Sequence, residues 1–185
     1  NHGDLAGPQS RPLLPIPWAD ASLDVVISLA GVHHLDDKTS LFRDIYRATK
    51  SGGRFVLSDV QAGSSVAQFL DGYIGDNNST GHEGIYLDAI TQNELANSGW
   101  VVENTNLEHF NWVFDSPLDM AIFCHTLFDL RGKNVNATHD AIVSNLGLQL
   151  RDDAKVGMKW SLLTIVSRSV KCKDLALASL ILASL

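Results

Sequence analysis

The sequence predicts an α/β protein that contains a parallel strand–helix–strand unit, and three features carry that prediction. Residues 23–30 form a short, β-branched, almost continuously apolar run, which is typical of a strand buried on both faces of a parallel sheet. Residues 54–60 form a second such run. Between them, apolar side chains recur at helical spacing. Val25 and Val56 lie 31 positions apart, which is the size of one strand–helix–strand unit.

Within this unit, the helix is expected to begin after Asp36 or Asp37, because either side chain can cap it. Its apolar stripe consists of Leu41, Phe42, Ile45 and Tyr46. Lys50 would lie in the last turn, and the SGG segment at 51–53 would end the helix. We expect the two strands to be parallel with a right-handed connection.

The central part of the chain predicts one helix, one loop and a helix–strand pair. Residues 64–74 have helical character, and the GDNNSTGHEG segment at 75–84 predicts a mobile loop. The TQNE segment at 91–94 has the pattern of a capping box, so we expect a short helix from there to Gly99. Residues 100–114 predict a strand with partial alternation.

The last third of the chain predicts two helices and a final strand. Ser116 followed by Pro117 predicts a helix start. The apolar residues of that helix are too widely spread for a single stripe, so we expect both of its faces to be covered. Residues 137–150 predict a further helix, and residues 158–169 a last strand. The apolar stretch 170–185 is expected to be an extension that contributes little to stability.

Length and composition fit one globular domain without an affinity for polyanions. The chain has 185 residues, of which 45% are hydrophobic and 19% charged. Fourteen basic against 21 acidic residues give a net charge of −7, which disfavours nucleic acid and anionic membranes as partners. No apolar run reaches the ~18–20 residues needed to span a bilayer. With two cysteines and no secretory signal in this sequence, we expect a cytoplasmic location.

Two adjacent histidines, His33 and His34, follow the first predicted strand. In open α/β sheets, ligands bind outside the carboxyl ends of the strands. Histidine is the usual acid–base residue near neutral pH, so both side chains are candidates for chemistry. The alternative is that they cap the strand and hydrogen-bond to loop carbonyls, and their position alone leaves both roles open.

Three linked motifs resemble the class I S-adenosylmethionine-dependent methyltransferases of the small-molecule type, in particular the methyltransferase type 11 group. They are PWADASLDVV at 17–26, VHHL at 32–35 and SGGRF at 51–55. The family has LPF-x-D-x-SFD-VV, LHHL and LKPGG in the same order. The resemblance implies a Rossmann-like sheet and transfer of a methyl group from S-adenosylmethionine to an oxygen, nitrogen or carbon of a small molecule.

The glycine-rich turn that forms the main cofactor site in that family has no counterpart here, since the glycines at 52–53 follow a helix. The resemblance therefore implies that residues 1–169 hold only the strand 4 to strand 7 part of the domain. A helical insertion at about 115–150 would precede the last strand, and residues 170–185 would extend beyond it. We accordingly expect a homodimer or pairing with a missing N-terminal half.

Two other functions stay open. One is a non-catalytic methyltransferase-like scaffold or fragment without cofactor binding, which the missing turn favours. The other, a nicotinamide oxidoreductase, is disfavoured because it needs the same glycine-rich turn.

The resemblance also implies site residues. Leu29, Ala30 and Gly31 match the family positions after strand four that line the methionine end of S-adenosylmethionine. Asp4 is a candidate for the acidic residue that reaches the adenine. Trp18 could lie against the cofactor, since aromatic faces attract cations, or could pack under a loop.

For the chemistry itself, His33 matches the family residue that faces the substrate, as a base or a positioning group. His34 is its neighbour in the candidate catalytic set, with strand capping as its alternative role. Tyr73 joins them, because it lies with His82 and Tyr86 in the stretch where the family often builds a substrate lid. A flexible surface loop is the alternative for that stretch. The sequence predicts no metal site.

Overall fold

A computed structural model describes residues 13–171, which fold around a five-stranded mixed sheet. The strands, in chain order, are β1 (Leu23–Leu29), β2 (Thr49–Asp59), β3 (Trp100–Phe114), β4 (Leu148–Leu150) and β5 (Val156–Ser169). They are arranged as β1-β2-β5-β3, with β4 also paired to β5. The β1–β2 pair is parallel and every pair made by β5 is antiparallel.

Six α-helices are described, together with a 3-10 turn and a π-helical turn. The helices are α1 (Lys38–Ala48), α2 (Ser65–Phe69), α3 (Gly75–Asn77), α4 (Ala89–Asn97), α5 (Pro117–Leu127) and α6 (Val135–Asn145). A 3-10 turn, Val32–His34, follows β1, and a π-helical turn, Leu70–Ile74, joins α2 to α3. Between residues 13 and 171, none of these helices has the length and apolar character needed to cross a bilayer.

The β1–α1–β2 unit confirms the predicted parallel pair. Asp37 caps α1 by accepting from the backbone N–H of Ser40 at 3.0 Å, and the helix buries Leu41, Phe42 and Ile45 under the sheet. The predicted end of the helix is wrong. It stops at Ala48, so Lys50 and the SGG segment lie in β2.

Glycine is required at positions 52 and 53 for two different physical reasons. Gly52 has φ +75°, a conformation that strains residues with a β-carbon. A β-carbon on Gly53 would lie 2.8 Å from the carbonyl oxygen of Asp24 and 2.6 Å from Cγ2 of Thr49. These glycines therefore allow the start of β2 to pass close to β1, a role distinct from ending a helix.

The close approach at Gly53 predicts a cost for adding one methyl group. We expect Gly53→Ala to lower the free energy of unfolding by about 1–3 kcal/mol, because backbone must move to relieve the overlap. Gly72→Ala is the matched control, since nothing lies within 4 Å of a β-carbon there. The control should be neutral or stabilising by about 0.4–1 kcal/mol. Urea unfolding of both variants gives the comparison, and equal midpoints would contradict the assigned contact.

Two boundaries between residues 64 and 99 differ from the prediction. The predicted loop at 75–84 begins as helix, because α3 continues through Gly75 to Asn77. The N-cap of α4 is Asp88 rather than Thr91. Its carboxylate accepts from the N–H groups of Ile90 and Thr91, while the Thr91 hydroxyl accepts from the Asp88 N–H at 3.2 Å. The capping box exists, but it begins three residues earlier than the sequence pattern indicates.

The helical insertion also departs from expectation. Ser116 caps α5 as predicted, by accepting from the N–H of Asp119 at 3.1 Å. Only one face of α5 is covered, since Met120 and Cys124 are buried while Leu118 is 57% exposed. The expectation of two covered faces is therefore wrong for the described residues. The next helix, α6, stops at Asn145, and the last residues of the predicted helix 137–150 form β4 instead.

One face of β1 is exposed, contrary to the prediction of a strand buried on both faces. Val25, Ile27 and Leu29 alternate along β1 and are 53%, 70% and 67% exposed. Among the described strands β1 pairs only with β2, so no described strand covers its other edge. An apolar groove of about 510 Å³ runs beside this strand, with Trp18 and Ile16 in its wall.

Two predictions concern residues outside the described range. Asp4 lies before residue 13, and most of the 170–185 extension lies after residue 171. The two described residues of the extension pack against α1. The Val170 carbonyl accepts from the Tyr46 hydroxyl at 2.6 Å, and the Lys171 ammonium lies 3.8 Å from the centre of the Tyr46 ring.

Candidate active site

The site is built where the parallel strands β1 and β2 end side by side. The 3-10 turn after β1 presents His33, and the last residue of β2 is Asp59. Nδ1 of His33 lies 2.7 Å from a carboxylate oxygen of Asp59. The histidine side chain is 8% exposed and that of the aspartate is fully buried, so this is an interior pair.

Asp59 is a buried carboxylate whose oxygens are well supplied with donors. One oxygen accepts from the N–H groups of Val32 and His33 at 2.9 and 3.2 Å. The other accepts from the Val60 N–H at 2.7 Å in addition to the imidazole. Burial alone would raise the pKa of Asp59, but the hydrogen bonds from His33 and Val60 outweigh it and lower the pKa below its ordinary value.

The Asp59 carboxylate fixes which nitrogen of His33 is available for chemistry. An ionised carboxylate only accepts hydrogen bonds, so Nδ1 carries the proton in this pair. In the neutral ring the lone pair is then on Nε2. A histidine oriented in this way by a buried carboxylate has the arrangement of a general base.

His34 and His82 complete a compact cluster around His33. The ring centres of His33 and His34 are 4.0 Å apart, and His82 lies 5.6 Å from the former and 5.4 Å from the latter. Partial loss of solvent around the ring first, and then the neighbouring His33 and His82, lower the pKa of His34. The neutral form of the His34 ring is therefore favoured.

Asp71, in the π-helical turn, orients the third histidine. One of its oxygens lies 3.1 Å from Nδ1 of His82, and the same oxygen accepts from the Tyr86 hydroxyl at 2.5 Å and the Gly84 N–H at 3.0 Å. Burial and the bond to Asp71 raise the pKa of Tyr86 above its ordinary value, so this phenol stays protonated. The stretch that carries His82 is thus held by specific bonds.

The His33 and His34 rings face an apolar cavity of about 520 Å³ between the sheet and α5. His82 also lines it. The other lining residues are Leu29, Ala30, Val60, Leu70, Phe110, Trp112, Leu127, Phe128, Trp160 and Leu162. The cavity is large enough for a small organic molecule, and its polar groups are concentrated at the histidine end.

The predicted cofactor residues lie between this cavity and the groove beside β1. Leu29 and Ala30 line the cavity, while Gly31 lines the groove. The groove wall includes no ionisable side chain among the described residues. An apolar wall of this kind would suit an adenine ring, but the described wall of the groove has no charged partner for the ribose or the charged methionine end of S-adenosylmethionine.

Tyr73 is the predicted catalytic residue that the structure does not bring to the histidines. Its ring stacks on Phe69 with centres 5.8 Å apart, and its hydroxyl lies 3.1 Å from that of Thr138. Asp59 and Asp71 were missed by sequence reasoning. Asp59 could have been found, because an acidic residue at the carboxyl end of a predicted parallel strand lies beside the ends of its neighbours.

The described residues have the Rossmann-like fold of methyltransferases, as two crystal structures show. A proposed methyltransferase from Bacillus halodurans C-125 superposes with a TM-score of 0.58 at 15% identity, over 84% of this chain and 74% of that one. The YcgJ protein of Bacillus subtilis gives a TM-score of 0.53 at 14% identity, over 84% and 68% of the two chains. At these identities the likeness shows the fold alone.

Residues 9–57 match the family model described as a methyltransferase domain, which confirms the resemblance found in the sequence motifs. The protein YafE of Escherichia coli K12 is 29% identical over 104 residues, covering 53% of this chain and 50% of YafE. The 27-O-demethylrifamycin SV methyltransferase of Amycolatopsis mediterranei is 39% identical over 46 residues, which are 25% of this chain and 17% of that enzyme. The chain thus spans half the length of YafE and 17% of the length of the rifamycin methyltransferase.

Proposed function

We propose that this protein takes part in the transfer of a methyl group from S-adenosylmethionine to a small apolar molecule. The match to a methyltransferase domain and the fold support methyl transfer as the class of reaction. The single observation that carries the proposal is the His33–Asp59 pair at the end of an apolar cavity. As part of the same proposal, the protein acts in the cytoplasm.

The chemistry of the cavity indicates the kind of acceptor. Aromatic side chains such as Trp112, Phe128 and Trp160 favour a flat or hydrocarbon-rich molecule. Among the described residues that line the cavity, the three histidines are the ionisable ones. A histidine base is useful for a neutral acceptor that must lose a proton, such as a phenolic or enolic hydroxyl. It has no such use for an acceptor that is permanently charged.

In this proposal the chain's own residues bind, orient and deprotonate the acceptor. S-adenosylmethionine, when bound, supplies the methyl group. The cavity walls hold the acceptor, and alignment of this kind can lower a barrier by ~7–11 kcal/mol. Nε2 of His33 accepts the hydroxyl proton, and the buried Asp59 carboxylate stabilises the imidazolium that forms.

We predict that His33→Ala lowers turnover by ~10²–10⁴-fold with little change in cofactor affinity. The assay measures labelled methyl transfer from S-adenosylmethionine to a panel of phenols, with the protein expressed from its complete natural reading frame. Added imidazole should restore part of the rate, because it can occupy the vacated space and accept the proton.

His139→Ala is the matched control for His33→Ala, since His139 lies on α6 and is absent from the cavity lining. It should leave turnover unchanged. Equal turnover of His33→Ala and wild type, at matched stability, would remove His33 from the chemistry. A loss that imidazole does not relieve would assign it a structural role.

A non-catalytic methyltransferase-like scaffold is the second candidate. The observation in its favour is the groove beside β1, whose described wall offers no charged group to the cofactor. If the protein is such a scaffold, it should neither transfer a methyl group to any acceptor nor bind S-adenosylmethionine. Calorimetric titration with the cofactor separates the two candidates.

A further inference from the structure

Three imidazoles at the mouth of one cavity form an arrangement that acid–base catalysis does not require. One ring nitrogen from each of His33, His34 and His82 lies within 4.8 Å of those of the other two. A base needs only one of these rings. Three imidazole nitrogens grouped this closely are a common ligand set for a transition metal ion.

The spacing is close to that of a metal site. Zinc–nitrogen bonds of ~2.0–2.1 Å in tetrahedral geometry place ligand nitrogens about 3.4 Å apart. From separations of at most 4.8 Å, the nitrogens need to approach one another by at most about 1.4 Å. His34 is exposed and His82 belongs to a loop segment, so side-chain rotation of these two can close the difference.

Hydrogen bonds behind two of the rings match those that support metal ligands. A histidine that binds a metal through one nitrogen usually donates the other N–H to a carboxylate or carbonyl. His33 has Asp59 at 2.7 Å in that position, and His82 has Asp71 at 3.1 Å. Both carboxylates are held in turn by other donors, the backbone around Asp59 and the Tyr86 hydroxyl on Asp71.

We propose that His33, His34 and His82 bind one zinc-class transition metal dication at the mouth of the cavity. Imidazole nitrogen suits zinc, cobalt, nickel and copper, whereas magnesium and calcium prefer oxygen ligands. Three protein ligands leave a fourth tetrahedral position for water or for an oxygen of a molecule in the cavity.

The metal site goes beyond the proposed methyl transfer and does not depend on it. Nε2 of His33 has a single lone pair, so a bound metal and a proton taken from the acceptor compete for it. In the metal-loaded form Nε2 of His33 would no longer be free to accept a proton, whereas the metal-free form would use it as a base.

The test uses the metal-stripped 185-residue chain with Co²⁺ as the probe and neither cofactor nor acceptor present. We expect one Co²⁺ per chain, with visible absorption bands of four-coordinate cobalt that disappear when Zn²⁺ displaces it. His34→Gln and His82→Gln should each weaken binding by more than ~100-fold. Asp71→Asn should weaken it by ~10–100-fold, the typical effect of removing a bond behind a ligand.

His139→Gln serves as the control and should bind Co²⁺ as wild type does, because its ring pairs with Asp140 on α6. Far-UV circular dichroism checks the fold of each variant. Because His34 is exposed, the His34→Gln variant should fold as wild type does. Weak, spectrally octahedral cobalt binding, or binding unchanged in His34→Gln and His82→Gln, would overturn the proposal. If cobalt fails to bind while His33→Ala still abolishes methyl transfer, the metal site falls and the proposed function stands.

Discussion

Replacing Asp59 with Ala should lower the free energy of unfolding by about 3–5 kcal/mol, because several buried donors lose their shared acceptor and each orphaned donor costs about 1–3 kcal/mol. The substitution leaves the Nδ1–H of His33 and the N–H groups of Val32 and Val60 buried without an acceptor. Because whole domains are stable by only about 5–15 kcal/mol, the effect will be large in urea unfolding.

The stabilisation by Asp59 should also depend on pH in a defined direction. Its pKa is lowered in the folded protein, so the carboxylate stabilises the fold above the unfolded-state pKa, near 3.8. As the pH falls below that value and through the folded pKa, protonation removes the contribution. The difference in unfolding free energy between wild type and Asp59→Asn should therefore shrink steadily below about pH 3.8.

Asp24→Asn is the control for the effect of removing one carboxylate. Asp24 pairs with Lys50 at 2.9 Å, but its side chain is 79% exposed. Exposed ion pairs contribute roughly 0–1 kcal/mol, so this variant should unfold near the wild-type urea concentration. Similar losses for Asp59→Ala and Asp24→Asn would contradict the role assigned to the buried carboxylate.

Self-association of the 185-residue chain through β1 is the second large effect that we expect. Val25, Ile27 and Leu29 form an exposed apolar row along a strand whose second edge has no partner among the described strands. Such an edge pairs readily with another copy, and a single lysine is often enough to prevent it. Ile27→Lys should therefore convert dimers or larger aggregates into monomers.

Light scattering after size exclusion gives the mass of each species. Ile90→Lys, on α4, is the matched control, because Ile90 is 64% exposed but lies away from β1. It should leave the wild-type mass distribution unchanged. A monomeric wild-type chain, or equal effects of both substitutions, would show that β1 does not mediate association.

The missing glycine-rich turn should also limit the affinity of this chain for the cofactor. In the resembled family the glycine-rich turn and an acidic residue bind S-adenosylmethionine, and charged hydrogen bonds of that kind contribute ~1.5–3 kcal/mol each. Without two or three of them, we expect the isolated chain to bind the cofactor no better than roughly millimolar. Micromolar binding by calorimetry would mean that the site is built differently.

The sequence predicted the β1–α1–β2 unit well because its signals are local. The apolar run of β1, the Asp37 cap and the stripe of α1 act within a few residues of one another. Boundaries that depend on tertiary contacts were less predictable. The start of β2 at Thr49 follows from the close passage of Gly53 beside Asp24, which no local pattern records.

The sequence predicted only part of the site, because only part of it is marked by local signals. His33 was found because the end of a buried strand and a family motif both mark it. Its grouping with His82 and Asp71 could not be read from the sequence, since the loop at 75–84 resembles a mobile segment. The three bonds that Asp71 accepts tie that loop to the π-helical turn. The Ile85 N–H donates to the His33 carbonyl at 2.9 Å and holds the chain just after the loop beside the 3-10 turn.

The position of β5 has a consequence for how the protein folds during synthesis. This strand is the last described element, yet it pairs with β2, β3 and β4 and joins the parallel unit to the rest of the sheet. Ser58 and Thr164, whose hydroxyls meet at 2.9 Å, are 106 residues apart. Pairings so distant in sequence form slowly. Until the ribosome releases β5, the nascent chain holds β2 and β3 with open edges, which is when chaperones would be needed most.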